Sequence, residues 1–244
     1  MERLIPNYTL AIKKRITLRF IFKMILDIIF PKKCLGCGNN ESIICKNCQN
    51  LIHQSENYAD ETDSSVLPLI AAACYKNKII KKTIWLLKYK KIKVAAEPLS
   101  ELIYSRSVED LSEINIFYSI KDCLIIPVPL SKKRLKERGF NQAELIASNL
   151  MVKLKEGIPA INFSLEKNIL RKIKETSSQV IAKDKSKRLK NLKGSFGIEH
   201  PEKIKGRNII LIDDVSTTGA TLHEATSVLK KAGARIVIPI VAAR

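Results

Sequence analysis

Long apolar runs, internal repeats and low-complexity tracts are all missing from this 244-residue chain. Without repeats, solenoids and propellers are excluded. Its longest apolar candidate, Ile16 to Phe30, is broken by Arg19, Lys23 and Asp27 at four-residue spacing. That makes it too short and too charged for a membrane span, and it reads instead as a helix with one polar stripe. The basic residues of Met1 to Lys14 precede it, but no small-residue cleavage site follows, which argues against a secretory signal. The helix is expected to pack on its own protein or a partner; contact of residues 16–30 with an anionic membrane surface is the sharper alternative. The expected location is cytoplasmic. Acidic residues are also short in number, 24 against 43 Lys and Arg, for a net charge of +19. Such an excess attracts nucleic acid, anionic lipid or polyphosphate. Aromatics make up 6% of the chain, and no basic stripe interleaved with aromatics, of the kind that holds single strands, stands out. Charge alone is therefore weak support for a nucleic-acid partner.

What is present is ordinary globular composition, 45% hydrophobic and 27% charged, at a length that suits one sizeable domain plus a small appendage. The richest stretch runs from Asn208 to Thr221. Ile209 to Ile212 read as a buried strand, and the adjacent carboxylates Asp213 and Asp214 follow at its end. Next comes a loop of hydroxyls with one glycine: Ser216, Thr217, Thr218, Gly219, Ala220 and Thr221. Leu222 to Lys231 is helix-like, with Ala225, Val228 and Leu229 on one face. A strand feeding a Gly-containing turn into a helix makes an anion site, because the first helical amides point outward unpaired and the dipole favours negative charge there. The hydroxyls add donors. The two acids suit sugar hydroxyls beside a phosphate, or a metal shared with it. A strand ending in an Asp turn with a Thr helix cap explains only a few of these residues. The stretch resembles the phosphoribosyl-pyrophosphate (PRPP) motif of type I phosphoribosyltransferases: four hydrophobic residues, two acids, and a loop ending in Thr-Gly-x-Thr. The resemblance implies that Asp213 and Asp214 bind the ribose 2- and 3-hydroxyls and that Thr217 to Thr221 wrap the 5-phosphate, with Ser216 at the start of the loop.

A second signal is Cys34-Leu-Gly-Cys37-Gly, then Cys45-Lys-Asn-Cys48. Two Cys-x-x-Cys knuckles give four thiolates, enough for a closed tetrahedral zinc site with a structural role. Gly38, after Cys37, permits a tight turn. An iron–sulfur cluster takes the same four ligands. Disulfides would need an oxidising compartment that nothing else suggests, and a redox Cys-x-x-Cys usually comes singly. Zinc is the favoured reading. Cys74 and Cys123 sit alone in apolar runs and read as buried small hydrophobes.

Along the chain, residues 1–30 form the N-terminal extension, 31–52 the metal unit, 53–65 a polar linker and 66–244 the main domain. Leu67 to Tyr75 suggests a strand. Lys78 to Lys90 and Val94 to Tyr104 suggest helices, with Ile80, Ile84 and Leu87 apolar in the first. Cys123 to Pro127 is a strand covered on both faces, and Asn141 to Lys155 is helical. Arg207 to Asp214 and Arg235 to Val241 are buried strands flanking the helix from Thr221, a parallel crossover unit. Ligands in such sheets sit at the carboxyl ends of strands, which puts Pro127 and Asp213 on one cleft. After Pro127 and Pro129 come Lys132, Lys133, Arg134, Lys136 and Arg138, read as a basic loop that Gly139 bends before the helix cap Asn141. Beside an anion site those cations can stabilise a departing pyrophosphate.

Together these segments resemble the ComF family (competence protein F, or ComFC-like). The resemblance covers the chain from about Phe30. It rests on the paired Cys knuckles, the Tyr75…Leu87-Lys88-Tyr89 region, Pro127-Val-Pro129, Lys133-Arg134…Glu137-Arg138-Gly139-Phe140-Asn141-Gln142 and the Asp-Asp loop. A looser pattern, Arg171…Thr176…Gln179…Arg188…Asn191…Gly194…Phe196, departs from the family by Ser178 and by its stretched spacing. The resemblance implies an α/β fold: a type I phosphoribosyltransferase-like parallel sheet with flanking helices, preceded by a small zinc-ribbon-like module. It further implies PRPP binding with magnesium, a basic pyrophosphate loop including Lys133, Arg134 and Arg138, and a lid carrying Arg171, Thr176, Gln179 and Arg188. Its implied role is uptake or handling of external DNA. Two classes of function follow from it. One is an enzyme that transfers phosphoribose to an unidentified acceptor, with Asp213 and Asp214 in the reaction. The other is a binding module whose partners are single-stranded DNA or competence-machinery proteins.

Overall fold

A computed structural model describes residues 33–54, 69–174 and 192–244. The extension helix of 16–30, most of the linker, and Thr176, Gln179 and Arg188 lie outside the described residues. Five parallel strands form the main sheet in the order β1-β7-β6-β2-β3. They are β1 (Ile70–Ala71), β2 (Asp122–Pro127), β3 (Asn162–Leu165), β6 (Asn208–Val215) and β7 (Ile236–Ala243). Two further strands, β4 (Leu170–Lys172) and β5 (Phe196–Ile198), pair antiparallel as a separate small sheet.

The continuous apolar run of β6 explains its central place. Ile209, Ile210, Leu211 and Ile212 are all fully buried. Side chains alternate across a strand, so Ile210 and Ile212 enter one core layer and Ile209 and Leu211 the other. Each such side chain contributes roughly 1.5–3 kcal/mol relative to exposure. The first layer is closed by α2 (Lys78–Tyr89), α3 (Ala96–Tyr118) and α5 (Gln142–Gly157) through Ile84, Leu99, Ile103, Ile146 and Leu150. The second is closed by α6 (Ala220–Lys231) through Leu222, Ala225 and Leu229, and by Leu170 and Phe196 of the small sheet.

Local chemistry sets most boundaries. Asn77 caps α2 by accepting from the Ile79 amide at 2.9 Å, and Asn141 caps α5 by accepting from Ala143 at 3.1 Å. The expected helix from Val94 to Tyr104 begins as a 3-10 turn at Lys93–Ala95 and runs on to Tyr118, where Ser119 adopts a left-handed conformation. Buried Ser107 does not interrupt it, because its hydroxyl donates back to the Ile103 carbonyl at 2.7 Å. Residues 132–138 are not a loop: Lys132–Arg138 form α4, which opens on the Ser131 hydroxyl and closes on Gly139 at φ 80°. Of the expected strand from Leu67 to Tyr75, Ile70–Ala71 pairs in register with β7, and the Ala72 amide continues to the Val241 carbonyl at 3.0 Å. His53 and Gln54 end helix α1 (Lys46–Gln54) rather than begin a linker. No described helix is long and apolar enough to cross a membrane.

Helices α3 and α5 approach closely at Gly157, where a Cβ would lie 2.0 Å from Tyr104 Oη. Gly157→Ala is therefore expected to cost about 1–3 kcal/mol by overpacking, measured as a lower midpoint in urea with an unchanged slope.

Candidate functional site

The two middle strands diverge in connection: β6 leads to β7 on one side and β2 to β3 on the other. Their carboxyl ends lie together, Pro127 opposite Ile212, and the Val128 amide donates to the Ile212 carbonyl at 2.8 Å. This is the switch point at which open parallel sheets hold ligands. Asp213 and Asp214 end β6 there. Asp214 is buried, and its Oδ2 lies 2.5 Å from the Lys88 ammonium at the end of α2. The amide of Asp214 donates to Asp213 Oδ1 at 2.8 Å, and that of Val215 to Asp214 Oδ1 at 2.9 Å. Asp213 keeps some surface, yet protein crowds its carboxyl. Burial pushes this group well above the usual carboxylate range, the adjacent Asp214 pushes the same way, and Lys88 opposes both.

The loop after these acids is tied down by the Ser216 amide, which donates to the Ala243 carbonyl at 2.9 Å. Ser216 is buried and its hydroxyl has no hydrogen-bond partner. Gly219 adopts φ 75°, a conformation that suits glycine, and starts α6 with no side chain capping it. By contrast, α2, α4 and α5 are each capped by a side chain. The opening amides of α6 and the hydroxyls of Thr218 and Thr221 thus sit directly after the acid pair, while Thr217 stands exposed at the tip.

The basic helix α4 divides into two faces. Lys132, Lys133 and Lys136 are exposed, whereas Arg134 and Arg138 are half-buried. Arg138 stacks 5.9 Å from the Tyr89 ring, and its buried Nη1 has no hydrogen-bond partner. Arg134 lies near enough to Lys172 of β4 to perturb it. Burial lowers the Lys172 ammonium, Arg134 lowers it further, and Asp213 acts in the opposite sense. Lys172 itself lies over the Phe196 ring at 5.2 Å, within electrostatic reach of Arg134 and Asp213. Strand alternation separates it from Arg171, which pairs instead with Glu199 at 3.0 Å. Gly194, from the same loose pattern, donates its amide to Glu224 Oε1 at 2.6 Å and so ties the small sheet to α6. In the sequence Lys88 stands out only as part of the family pattern, with no role attached, and Lys172 does not stand out at all. The available signals were a lone lysine closing an apolar helix and the two-residue period of a short strand.

The Sγ atoms of Cys34, Cys37, Cys45 and Cys48 all lie within 4.8 Å of one another. Burial disfavours a charged Cys34, yet the amides of Cys45, Cys37 and Gly36 outweigh it and bring the thiol down to about 6. Cys48 is pushed up to about 12 by burial and by its sulfur neighbours. Four sulfurs this close could hold a metal ion, and tetrahedral Zn–S bonds of about 2.3 Å would fit the cluster. Gly38 takes φ 80°, as its turn requires, and Gly36 is also constrained: a Cβ there would lie 2.6 Å from Cys48 Sγ. Cys34, Cys45 and Cys48 share one hydrophobic cluster with Ile44, Ile52 and the core side of α2. Cys123 is buried, which raises its thiol to about 12, whereas Cys74 is only half-buried.

One expectation needs correction. Aromatic and basic residues do interleave, along α2: Lys78, Lys81, Lys82, Trp85, Lys88 and Tyr89 recur at three- and four-residue spacing. Their pattern is helical, so it does not show as a linear stripe.

The sheet order, the switch-point cleft and the acid pair followed by an uncapped helix define a phosphoribosyltransferase-type fold. Residues 136–244 match the model of the phosphoribosyl transferase domain family. Competence protein F of Haemophilus influenzae is 32% identical over 84% of this chain and 93% of its own length. Competence protein ComFC of Bacillus subtilis is 30% identical over 82% of this chain and 72% of its own. The chain belongs to this competence protein F/ComFC family. DNA utilization protein YhgH of Escherichia coli K12 is 31% identical over 46% of the chain, a match spanning 45% of that relative. Among solved structures, a hypoxanthine phosphoribosyl transferase of Trypanosoma cruzi superposes with a TM-score of 0.39 at 10% identity, over 59% of this chain and 64% of that one.

The raised Asp213 group makes a thermal prediction. A carboxyl whose folded-state value lies above its unfolded value holds its proton more tightly when folded, so its contribution to stability is lost as pH rises through the raised value. Asp213→Asn removes that loss. In ligand-free protein the variant should melt about 2–4 °C above wild type at neutral pH, and the difference should shrink on acidification, as followed by calorimetry.

Proposed function

We propose that the protein binds PRPP with magnesium at the carboxyl ends of β2 and β6, and that this binding serves the handling of DNA in competence. The observation that carries it is the uncapped opening of α6 on Gly219, directly after twin acids. Anions bind where helical amides stand free, so the loop Ser216, Thr217, Thr218, Gly219, Ala220 and Thr221 is assigned the 5-phosphate. Asp213 and Asp214 are assigned the ribose hydroxyls. Lys133, Arg134 and Arg138 are assigned the pyrophosphate, and Lys172, within electrostatic reach of Arg134 and Asp213, is added to them. Crowded cations beside an acid held toward protonation suit a polyanion that arrives with a divalent metal. Magnesium would neutralise charge on the pyrophosphate. Thr176, Gln179 and Arg188 are assigned to a covering segment over the ligand, whereas Arg171 is held by Glu199 on the strand face away from Lys172. The four-Cys unit of residues 31–52 is read as a structural zinc module appended to the phosphoribosyltransferase-like domain of 66–244. The names of the relatives support the link to DNA.

As an enzyme, the protein would hold PRPP while the bond from the anomeric carbon to the pyrophosphate oxygen breaks. The electron pair leaves with pyrophosphate, and an acceptor nucleophile bonds to the carbon. The basic groups would stabilise the departing charge. A second reading, PRPP sensing without transfer, draws on the Lys88–Asp214 ion pair. A protein cation already occupies one acid, so ligand binding must displace or share Lys88, and that displacement is a signal in itself.

Replacing both Asp213 and Asp214 by Asn should weaken magnesium-dependent PRPP binding by roughly a hundredfold or more, since two charge-assisted hydrogen bonds at about 1.5–3 kcal/mol each are lost. Calorimetry that finds unchanged affinity overturns the assignment. Release of pyrophosphate only with one member of a panel of bases, amines and DNA identifies the enzyme, and binding without release identifies the sensor. For the metal unit, elemental analysis should find one zinc per chain. Gly36→Ala should lose most of it, because the added methyl displaces the Cys48 sulfur.

A further inference from the structure

We infer that the outer face of α2 is a docking track for single-stranded nucleic acid leading to the acid pair. The inference rests on the DNA-handling reading above and assigns it a surface. Lys78, Lys81 and Lys82 stand on one side of the helix with Trp85 and Tyr89, and Tyr75 precedes them. With Ile84 and Lys88 these residues line one concave pocket of about 300 Å³. Trp85 is 44% and Tyr89 64% exposed, while Ile80, Thr83 and Leu87 bury the opposite face. Core packing therefore does not account for the aromatics. No acid occurs between Tyr75 and Ala96, and Lys90, Lys91 and Lys93 extend the charge beyond the helix.

Chemistry selects the occupant. Cations along a groove track phosphates, and aromatic rings beside them stack on bases, which a duplex keeps folded away. Cations already rest on both rings, Lys90 at 5.2 Å from the Trp85 centroid and Arg138 at 5.9 Å from that of Tyr89. Each ring thus has a positive group at hand for the phosphate of a stacked nucleotide. An anionic membrane would also meet lysines and aromatics, but insertion needs a projecting apolar ridge, and here the rings line a concavity. Lys88 belongs both to the pocket and to the ion pair with Asp214. A strand on this track is thereby brought up to the acids assigned to the sugar phosphate.

Trp85 is the sole tryptophan of the chain, so its emission reports the track directly. The full-length protein is titrated with oligo(dT) of about a dozen nucleotides, with the matching duplex, and with vesicles of phosphatidylglycerol and phosphatidylcholine. The single strand should quench Trp85 and bind more tightly than the duplex. Trp85→Ala, followed by anisotropy of labelled oligo(dT), should weaken binding roughly five- to hundredfold, and Trp85→Phe should retain most of it. Replacing Lys81 and Lys82 by Gln should lower the slope of log affinity against log salt by about 1.4. Retained PRPP binding by these variants certifies their fold. If oligo(dT) binds wild type and the variants equally, the track is overturned while the DNA reading stands. If wild type binds no single strand, both fall. If the vesicles alone quench Trp85, and the lysine variant loses that binding, the face is a membrane contact and the proposal is overturned.

Discussion

Two adjacent carboxylates at the end of a fully buried strand are the constraint around which this protein is arranged. Like charges so close resist joint ionisation, and burial raises the cost. The fold meets that cost with Lys88 from α2 on Asp214, with backbone amides on both acids, and with Lys172 of the small sheet within electrostatic reach of Asp213. None of these cations comes from the strand that carries the acids. α2 and the small sheet must both be in place before the acid pair is compensated. The helices on one face of the main sheet and the small sheet on the other therefore converge on a single cleft.

The metal unit belongs to the same arrangement. Its buried Cys34, Cys45 and Cys48, with Ile44 and Ile52, are continuous with the apolar side of α2. A Cβ on Gly36 would lie 3.0 Å from Ile79 of that helix, so the first knuckle is pressed against it. A metal holding the four sulfurs would brace the underside of α2. The opposite side of α2 presents lysines and rings, and its end supplies Lys88 to Asp214. One twelve-residue helix thus connects the metal unit, a basic aromatic surface and the acid pair.

Much of this was legible in the sequence, and what was missed has a common cause. Continuous apolar strands identify themselves because burial on both faces leaves no polar position, as in Ile209 to Ile212. The Asp-Asp loop and the Cys knuckles are local in sequence, so spacing alone displays them. β3, β4 and β5 are only three or four residues long and carry no period to detect. α4 is almost wholly charged, with no buried residue, and it is helical because Ser131 and Gly139 cap it rather than because it has an apolar face. Lys172 and Lys88 acquire meaning only through partners far away in the chain. The aromatic and basic residues of α2 escaped notice because stripes on helices repeat at 3.6 residues, and a linear scan breaks them up.

The surface of α2 also bears on how a strongly basic composition should be understood. A charge of +19 spread evenly would attract any polyanion with little discrimination. Here part of it is concentrated on one helix face that is free of acids and set with rings, and another part on α4 beside the acid pair. The first suits an extended phosphate chain with unstacked bases; the second suits a compact diphosphate. Arg138 touches both, stacking on Tyr89 of one surface while lying on the helix of the other. The two anions would therefore be held at neighbouring sites that share Lys88 and Arg138. Occupancy of one must change the charge felt by the other, and by linkage the effect runs equally in both directions.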